Sequence, residues 1–292
     1  MHPFNHPAVV RLIATALEED LGRGDVTTLA TIAPDRRAYG KIMAKADLVI
    51  AGLPLAERIL FLVDPAANVR LLVVEGAAIK RGQLTVEMWG NAAALLIAER
   101  TLLNFLQHLS GVATLTRRFV DAVAGTKCKI IDTRKTLPGF RLLDKYAVTQ
   151  GGGTNHRMGL DDGILIKDNH SAVCGGVGAA VRQARERASA LLRIEVECTT
   201  LAEVQEALDA RADVILLDNM TTSRMAEAVQ LVSGQALLEA SGTMSFERVR
   251  EVAETGVDFI SVGVLTHSAP AVDLSMSLEV LRTESSAQTQ KI

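Results

Sequence analysis

Aromatic residues are scarce in this 292-residue chain, at 3%. A surface that stacks nucleic-acid bases needs such side chains, so no base platform is expected. A basic excess is missing too: 31 Lys and Arg stand against 34 Asp and Glu, a net charge of -3. A nucleic-acid footprint needs a basic face, so any basic patch here must be local. Cysteine is limited to Cys128, Cys174 and Cys198. An odd number at wide spacing is not a disulfide framework, and no CxxC pair suggests zinc. Reduced, packed thiols fit a cytoplasmic protein. Long apolar runs are lacking as well. The most apolar window, Leu48 to Val63, contains Glu57 and Arg58 and is too short to span a bilayer. The opening MHPFNHPAVV lacks the basic region and apolar core of a secretion signal. There is no dinucleotide-type glycine loop. Gly176-Val177-Gly178 imitates one, but polar Lys167 to Ser171 precede it where a strand is required.

What is present is an ordinary globular balance, 48% apolar and 22% charged, long enough for one large domain or two average ones. Residues 6–20 have helical periodicity, with Val9, Ile13, Ala16 and Leu17 on one face. Asp25 to Thr28 is a turn into another element. Tyr39 to Lys45 and Val69 to Glu75 are strand-like, with turns at Gly76 and at Lys80 to Gly82. Leu53 to Val63 and Ala92 to Leu109 are helical, the second with a stripe through Leu95, Leu102, Phe105 and Leu106. This part is an α+β domain, residues 1–112.

From about Val112 apolar runs alternate with amphipathic helices. The runs are Ile130-Ile131, Ile164 to Ile166, Ile194 to Val196, Val214 to Leu217, Ala236 to Leu238 and Phe259 to Val262. The helices between them are Arg141 to Val148, Val177 to Ala188, Leu201 to Ala210, Thr222 to Val232 and Ser245 to Thr255. Short continuous apolar strands with intervening helices imply a parallel sheet covered on its outer face. The expected architecture is α/β: a closed or incomplete barrel of the TIM type over residues 113–267, with 268–292 returning to the first domain. Asp273 to Leu281 is apolar enough to pack there, and the polar tail from Thr283 is expected to fray.

In such barrels the chemistry sits where strands hand over to the following loops. Those positions are Thr133-Arg134-Lys135, Lys167, Glu197, Asp218, Ser241-Gly242 and Gly263-Val264. The first two, with His156 and Arg157 close in sequence, supply cations for a multiply charged anion. Glu197 and Asp218 are hard oxygen ligands at a density that suits magnesium shared with a phosphate. Backbone amides at Ser241-Gly242-Thr243 and Gly263 can cradle a phosphate. Each piece alone has a plain reading. A single carboxylate is a loop salt bridge, Ser241-Gly242 is a turn, and Gly151-Gly152-Gly153 is a flexible connection. His2, His6, His108 and His170 are structural or exposed. The ordered set carries the weight.

The series DTRKTLPGFR, GGGTNHRMGL, LIKDNH, EVE, LLDNM, EASG and SVGVLTHS resembles the quinolinate phosphoribosyltransferase family, as do EDLGRGDVTT and ERTLLNFLQHLSG. The resemblance runs from Pro7 to Leu281. It implies an N-terminal sandwich-like domain and a C-terminal α/β barrel, in a homodimer or a hexamer that is a trimer of dimers. It also implies joining of quinolinate to phosphoribosyl pyrophosphate with loss of carbon dioxide, dependent on Mg2+. By motif, Arg100, Arg134, Lys135, His156, Arg157 and Lys167 would surround quinolinate, Arg100 being donated across the dimer interface. Glu197 and Asp218 would hold the ribose and the metal. Ser241, Gly242, Thr243, Val262, Gly263, Val264 and His267 would line the 5-phosphate end, and the family more often has a small residue where Thr243 and Met244 stand. The catalytic set implied is Lys135, Lys167, Glu197 and Asp218. A competing expectation is a non-catalytic anion-binding accessory protein of the same fold, like relatives associated with molybdenum uptake. Partners from nucleic acid or membrane are not expected.

Overall fold

The computed structural model describes residues 3–281; the tail expected to fray and His2 lie outside the described residues. In chain order the first elements are α1 (Pro7–Leu21), α2 (Val26–Thr31), β1 (Arg37–Ala44), β2 (Leu48–Val49), α3 (Pro54–Val63), β3 (Asn68–Leu71), β4 (Ala78–Ile79), β5 (Leu84–Asn91) and α4 (Ala92–Ala122). Then come β6 (Lys129–Ile131), α5 (Arg141–Gln150), β7 (Ile164–Ile166), α6 (Asp168–Cys174), α7 (Val177–Arg187), β8 (Ile194–Cys198) and α8 (Leu201–Asp209). The rest are β9 (Val214–Asp218), α9 (Thr222–Val232), β10 (Leu237–Ser241), α10 (Phe246–Glu254), β11 (Phe259–Ser261), α11 (Val264–His267) and β12 (Leu274–Val280). The chain forms two units, residues 1–111 with 271–292, and residues 112–270.

In the first unit an antiparallel sheet runs in the order β12-β1-β5-β3, with a separate β2-β4 ladder. Along β1 burial alternates, with Ala38, Gly40, Ile42 and Ala44 turned inward. That period of two is what a half-covered antiparallel strand requires. Strand β12 pairs with β1 from Ala38 opposite Val280 to Ala44 opposite Leu274. Leu274 is held by Gln107, whose amide donates to its carbonyl at 2.9 Å. Helix α1 starts where the side chain of His6 accepts from the Ala8 N–H and Pro7 occupies the first turn. Proline there loses no hydrogen bond.

Besides the short β2-β4 ladder and α2, which the sequence did not announce, β3, β5 and α4 depart from the expectation. The strand expected over Val69 to Glu75 covers only β3, and the chain leaves the ladder at Leu72. Strand β5 was not anticipated, though it lies at the heart of the sheet. It carries buried Glu87, whose carboxylate accepts from the Tyr39 hydroxyl and the Arg70 guanidinium on the flanking strands. Helix α4 does not stop at Leu109. It continues through Ser110-Gly111 to Ala122, because apolar residues at Leu109, Val112, Ala113 and Phe119 keep its buried stripe going. A glycine inside a helix costs about 1 kcal/mol, less than burying those side chains returns.

In the second unit six parallel strands lie in the order β6-β11-β10-β9-β8-β7. Thr154 adds a bridge to Ile131 on the free side of β6. Helices connect the strands, and capping is explicit: Thr200 and Glu203 form a reciprocal capping box at the start of α8. The sheet is rolled. His156, two residues beyond Thr154, places its Nε2 3.0 Å from Glu195 on β8. In a flat sheet those positions would be five strand spacings apart, roughly 24 Å. The outcome is an α/β barrel left open between Thr154 and β7. Around it the strand ends follow chain order, and the gap falls inside the basic group.

Candidate active site

Register decides which side chains face the barrel interior. Glu195 pairs with Val214, Glu197 with Leu216, Glu239 with Leu216 and Ser241 with Asp218. Paired residues of a parallel ladder share a face, and residues two apart share it as well. Glu195, Glu197, Leu216, Asp218, Glu239 and Ser241 therefore point inward, while Val196, Leu217 and Ala240 pack under the helices. Glu197, Asp218 and Ser241 belong to the last two residues of their strands, closer to the ladder than a loop reading would place them.

Four groups stand at or near the strand ends. At β6 and β11, the Lys135 carbonyl accepts from the Thr266 hydroxyl at 2.8 Å. A Cβ built on Gly263 would lie 3.2 Å from the Lys135 chain and 3.4 Å from the His267 ring, so glycine lets these two side chains close over the backbone. Val262 is buried beneath, its N–H donating to the Ile131 carbonyl at 3.0 Å. Val264 begins the short helix α11. At β9 and β10, the Asn219 N–H donates to the Ser241 carbonyl at 3.1 Å and its amide donates to Asp218 at 2.8 Å. Gly242 there has φ +121°, and any side chain would strike Asn219. Thr243 is exposed beside it. At β7 and β8, the Lys167 ammonium donates to Glu197 at 2.6 Å.

The fourth group fills the open seam. Arg134 follows β6 and has a buried Nε with no partner. Arg157 donates to the Gly163 carbonyl at 2.9 Å, at the beginning of β7 and not at its end. Burial holds the Arg157 guanidinium below its usual pKa, and the neighbouring Arg134 charge adds to the effect. Two guanidinium groups crowded in a half-buried seam favour an anion between them. Thr133 fixes the approach, its hydroxyl accepting from the Lys135 N–H at 3.1 Å. Arg100 stands exposed on α4 in the first unit.

Several site residues were missed in the sequence. Asp132 and Lys145 form an ion pair with no exposure at all. Burial raises the Asp132 pKa and lowers that of Lys145, and their mutual attraction opposes both shifts. Asp132 also accepts from the His156 N–H at 2.9 Å, and Lys145 donates to the His156 carbonyl at 2.9 Å. Glu195 and Glu239, 7% and 2% exposed, lie beneath the His156 ring. Burial pushes the Glu239 carboxyl well above its normal pKa, with the Glu195 charge the next cause. A cavity of about 290 Å3 lies there, bounded by His156, Arg157, Gly163, Glu195 and Glu239 among others. A larger cavity of about 500 Å3, lined by Arg193, Arg211, Asp213 and Gln235, lies at the opposite ends of β8 to β10. It holds none of the site groups, whereas the smaller cavity, which also reaches the strand starts at Ile164, Val214 and Phe259, is lined by His156 and Arg157. Gly151 is no flexible connection. Its Cβ would lie 2.5 Å from the Ala113 carbonyl, so the chain turns there against α4.

Residues 25–110 match the family model described as quinolinate phosphoribosyl transferase, N-terminal domain, and residues 112–277 match the C-terminal domain of the same family. The chain belongs to the quinolinate phosphoribosyl transferase family. It is 43% identical over 265 residues to a probable nicotinate-nucleotide pyrophosphorylase [carboxylating] of Synechocystis, covering 90% of each chain. A relative of the same description from Bacillus subtilis is 40% identical, with 94% of this chain and 95% of that one covered. The solved structure of the nicotinate-nucleotide pyrophosphorylase from Francisella tularensis superposes with a TM-score of 0.91 at 37% identity, over 96% of this chain and 99% of that one. Family membership covers both units. No helix among the described residues is long and apolar enough to cross a membrane.

Proposed function

We propose that the chain transfers the phosphoribosyl group of phosphoribosyl pyrophosphate to the ring nitrogen of quinolinate. The products are nicotinate mononucleotide, pyrophosphate and carbon dioxide. Within a chain of this family, the observation that carries the reading is the seam itself: Arg134, with an unpartnered buried Nε, set against Arg157, whose charge is already disfavoured. A planar dicarboxylate answers both needs, because each carboxylate can take one guanidinium fork. Lys135 and Lys167 stand on the lips of the seam to receive the second anion. The Gly242 and Gly263 corners offer backbone amides to the 5-phosphate.

The chain's own groups then account for the chemistry. Bringing two anions together is opposed by their repulsion, and the cations of the seam remove that barrier. As pyrophosphate leaves, C1 of the ribose gains positive character, and Glu197 and Asp218 face it from the barrel interior. Lys167, held 2.6 Å from Glu197, can turn to the leaving oxygens as negative charge builds there. The new bond makes the ring nitrogen cationic. The electron pair of the breaking C–C bond stays on the adjacent carbon, stabilised by the cationic nitrogen beside it; the carboxylate departs as carbon dioxide and that carbon takes up a proton from water. Two carboxylates on adjoining strands suit Mg2+, which prefers few protein oxygens and shares the rest with phosphates. Glu197 and Asp218 would hold it, and it supplies charge neutralisation at the pyrophosphate. The relatives above carry the names of enzymes, so the non-catalytic accessory reading gains nothing. Three free thiols suit a reducing, cytoplasmic setting.

The test is direct. Protein, quinolinate, phosphoribosyl pyrophosphate and Mg2+ are mixed, and carbon dioxide and nicotinate mononucleotide are measured. Equal amounts of both are expected. Binding of both substrates without release of either product would overturn the reading.

A further inference from the structure

His156 has four polar atoms, and the protein uses all of them. Its backbone N–H donates to Asp132 at 2.9 Å and its carbonyl accepts from Lys145 at 2.9 Å. Its Nδ1 accepts from the Arg157 N–H at 2.6 Å. Its Nε2 lies 3.0 Å from Glu195 and 3.5 Å from Glu239. An Nδ1 that accepts carries no proton, so the ring proton sits on Nε2 and is donated to Glu195. The ring is fixed from below by β8 and β10, and in turn it fixes the peptide that carries Arg157.

We infer that Glu195 is a positioning residue for the anion site: acting through the Nε2–H of His156, it holds the Arg157 backbone so that the guanidinium reaches the Gly163 carbonyl within the seam. This rests on the phosphoribosyl transfer reading for its kinetic test, but not for its structural one. The Asp132–Lys145 pair grips the same peptide from the main-chain side, so His156 joins two buried networks while its ring still borders the cavity beside Arg157. The groups facing Glu195 are His156 from the seam, Glu239 from β10 and Arg157 above. Its other oxygen is buried and is left for the neighbouring Glu239 carboxyl, which can donate to it when protonated.

Glutamine at this position keeps an oxygen to accept from His156 and gains an amide to donate to Glu239. Alanine keeps neither. Glu195→Ala is expected to raise the KM for quinolinate roughly tenfold to a hundredfold, as a small misplacement of a positioning group does. The KM for phosphoribosyl pyrophosphate should stay within about twofold, and Glu195→Gln should restore most of the loss. Arg157→Ala gives the ceiling for the effect. Equal damage from alanine and glutamine would show that only the charge of Glu195 matters and would overturn the proposal. The second measurement needs no turnover: the 15N and 13C shifts of labelled histidine in the full chain. His156 should show a single Nε2–H tautomer in the parent and in Glu195→Gln, and a mixture in Glu195→Ala. A single tautomer in all three would overturn the proposal even if the enzyme reading stands. Stoichiometric transition metal in the isolated protein would also overturn it, because His156, Glu195 and Glu239 would then be ligands.

Discussion

A carboxyl group buried beside another carboxyl group is a stability term that depends on pH. Glu239 is 2% exposed, and burial and then the Glu195 charge raise its pKa in the folded protein. Unfolded, it returns to the ordinary carboxylate range. The folded state therefore holds a proton that the unfolded state releases. The stability linked to Glu239 is complete below about pH 4.5 and is lost as pH rises through the raised value. A hydrogen bond from Ser261 and then the Lys167 charge act the other way and soften the loss without reversing it. Glu239→Gln cannot ionise, so its stability advantage over the parent should grow between pH 5 and 8. Urea denaturation of both proteins across that range measures the gap; a constant gap would mean that Glu239 titrates normally. The inner acids were readable in part. Glu197 sits in an EVE run, and a period of two puts Glu195 on the same face. The strand ends drew attention to the outer residue alone. Lys145 gave no such sign, since a lysine on a helix is solvated until Asp132 is known to stand opposite it.

At the scale of elements, what joins strand to helix is often a contact that no local pattern announces. The strands and helices of the barrel were legible because each run of apolar residues is short, continuous and bounded by polar turns. The triple glycine was not, because its purpose depends on α4, some thirty-five positions earlier in the chain. Gly151 and Gly153 would each bring a Cβ within 2.8 Å of Thr116 atoms, and Gly151 meets the Ala113 carbonyl at 2.5 Å. Backbone cannot retreat as a flexible side chain can. Gly151→Ala should destabilise the chain by about 1–3 kcal/mol through overpacking. Gly178, in α7, provides the contrast. Its Cβ would meet the tip of Arg182 at 3.2 Å, a group free to move. Gly178→Ala should be neutral or stabilising by up to about 1 kcal/mol, since alanine favours helix. Thermal denaturation of both variants decides; equal effects would mean that the turn relaxes away from α4. Strand β5 illustrates the same limit, because Glu87 in its middle makes sense only once Tyr39 and Arg70 flank it.

The molecule as a whole carries a net charge of -3, yet its reading depends on a local excess of cations. Chain order already gave the circular order of the strand ends, because each βα unit of a barrel lies beside the next. How many copies assemble is a different kind of information, held on surfaces that a single chain does not explain. Arg100 marks the question. It is an exposed cation at the end of the apolar segment Ala92 to Ala98, in the unit that does not contain the barrel. If Arg100 serves the barrel of a second copy, two inactive variants can repair each other. Arg100→Ala and Arg157→Ala should each lose most activity when made alone. In a mixed dimer, one barrel keeps its own Arg157 and receives an intact Arg100, while the other has lost both. Random pairing makes half the dimers mixed, so co-expression should recover about a quarter of the parent activity. If each subunit used its own Arg100, every barrel in the mixture would carry one defect and nothing would be recovered. Full activity of Arg100→Ala by itself would remove that residue from the site. Recovery measured against the proportion of the two variants therefore distinguishes a site shared between copies from one complete within a chain.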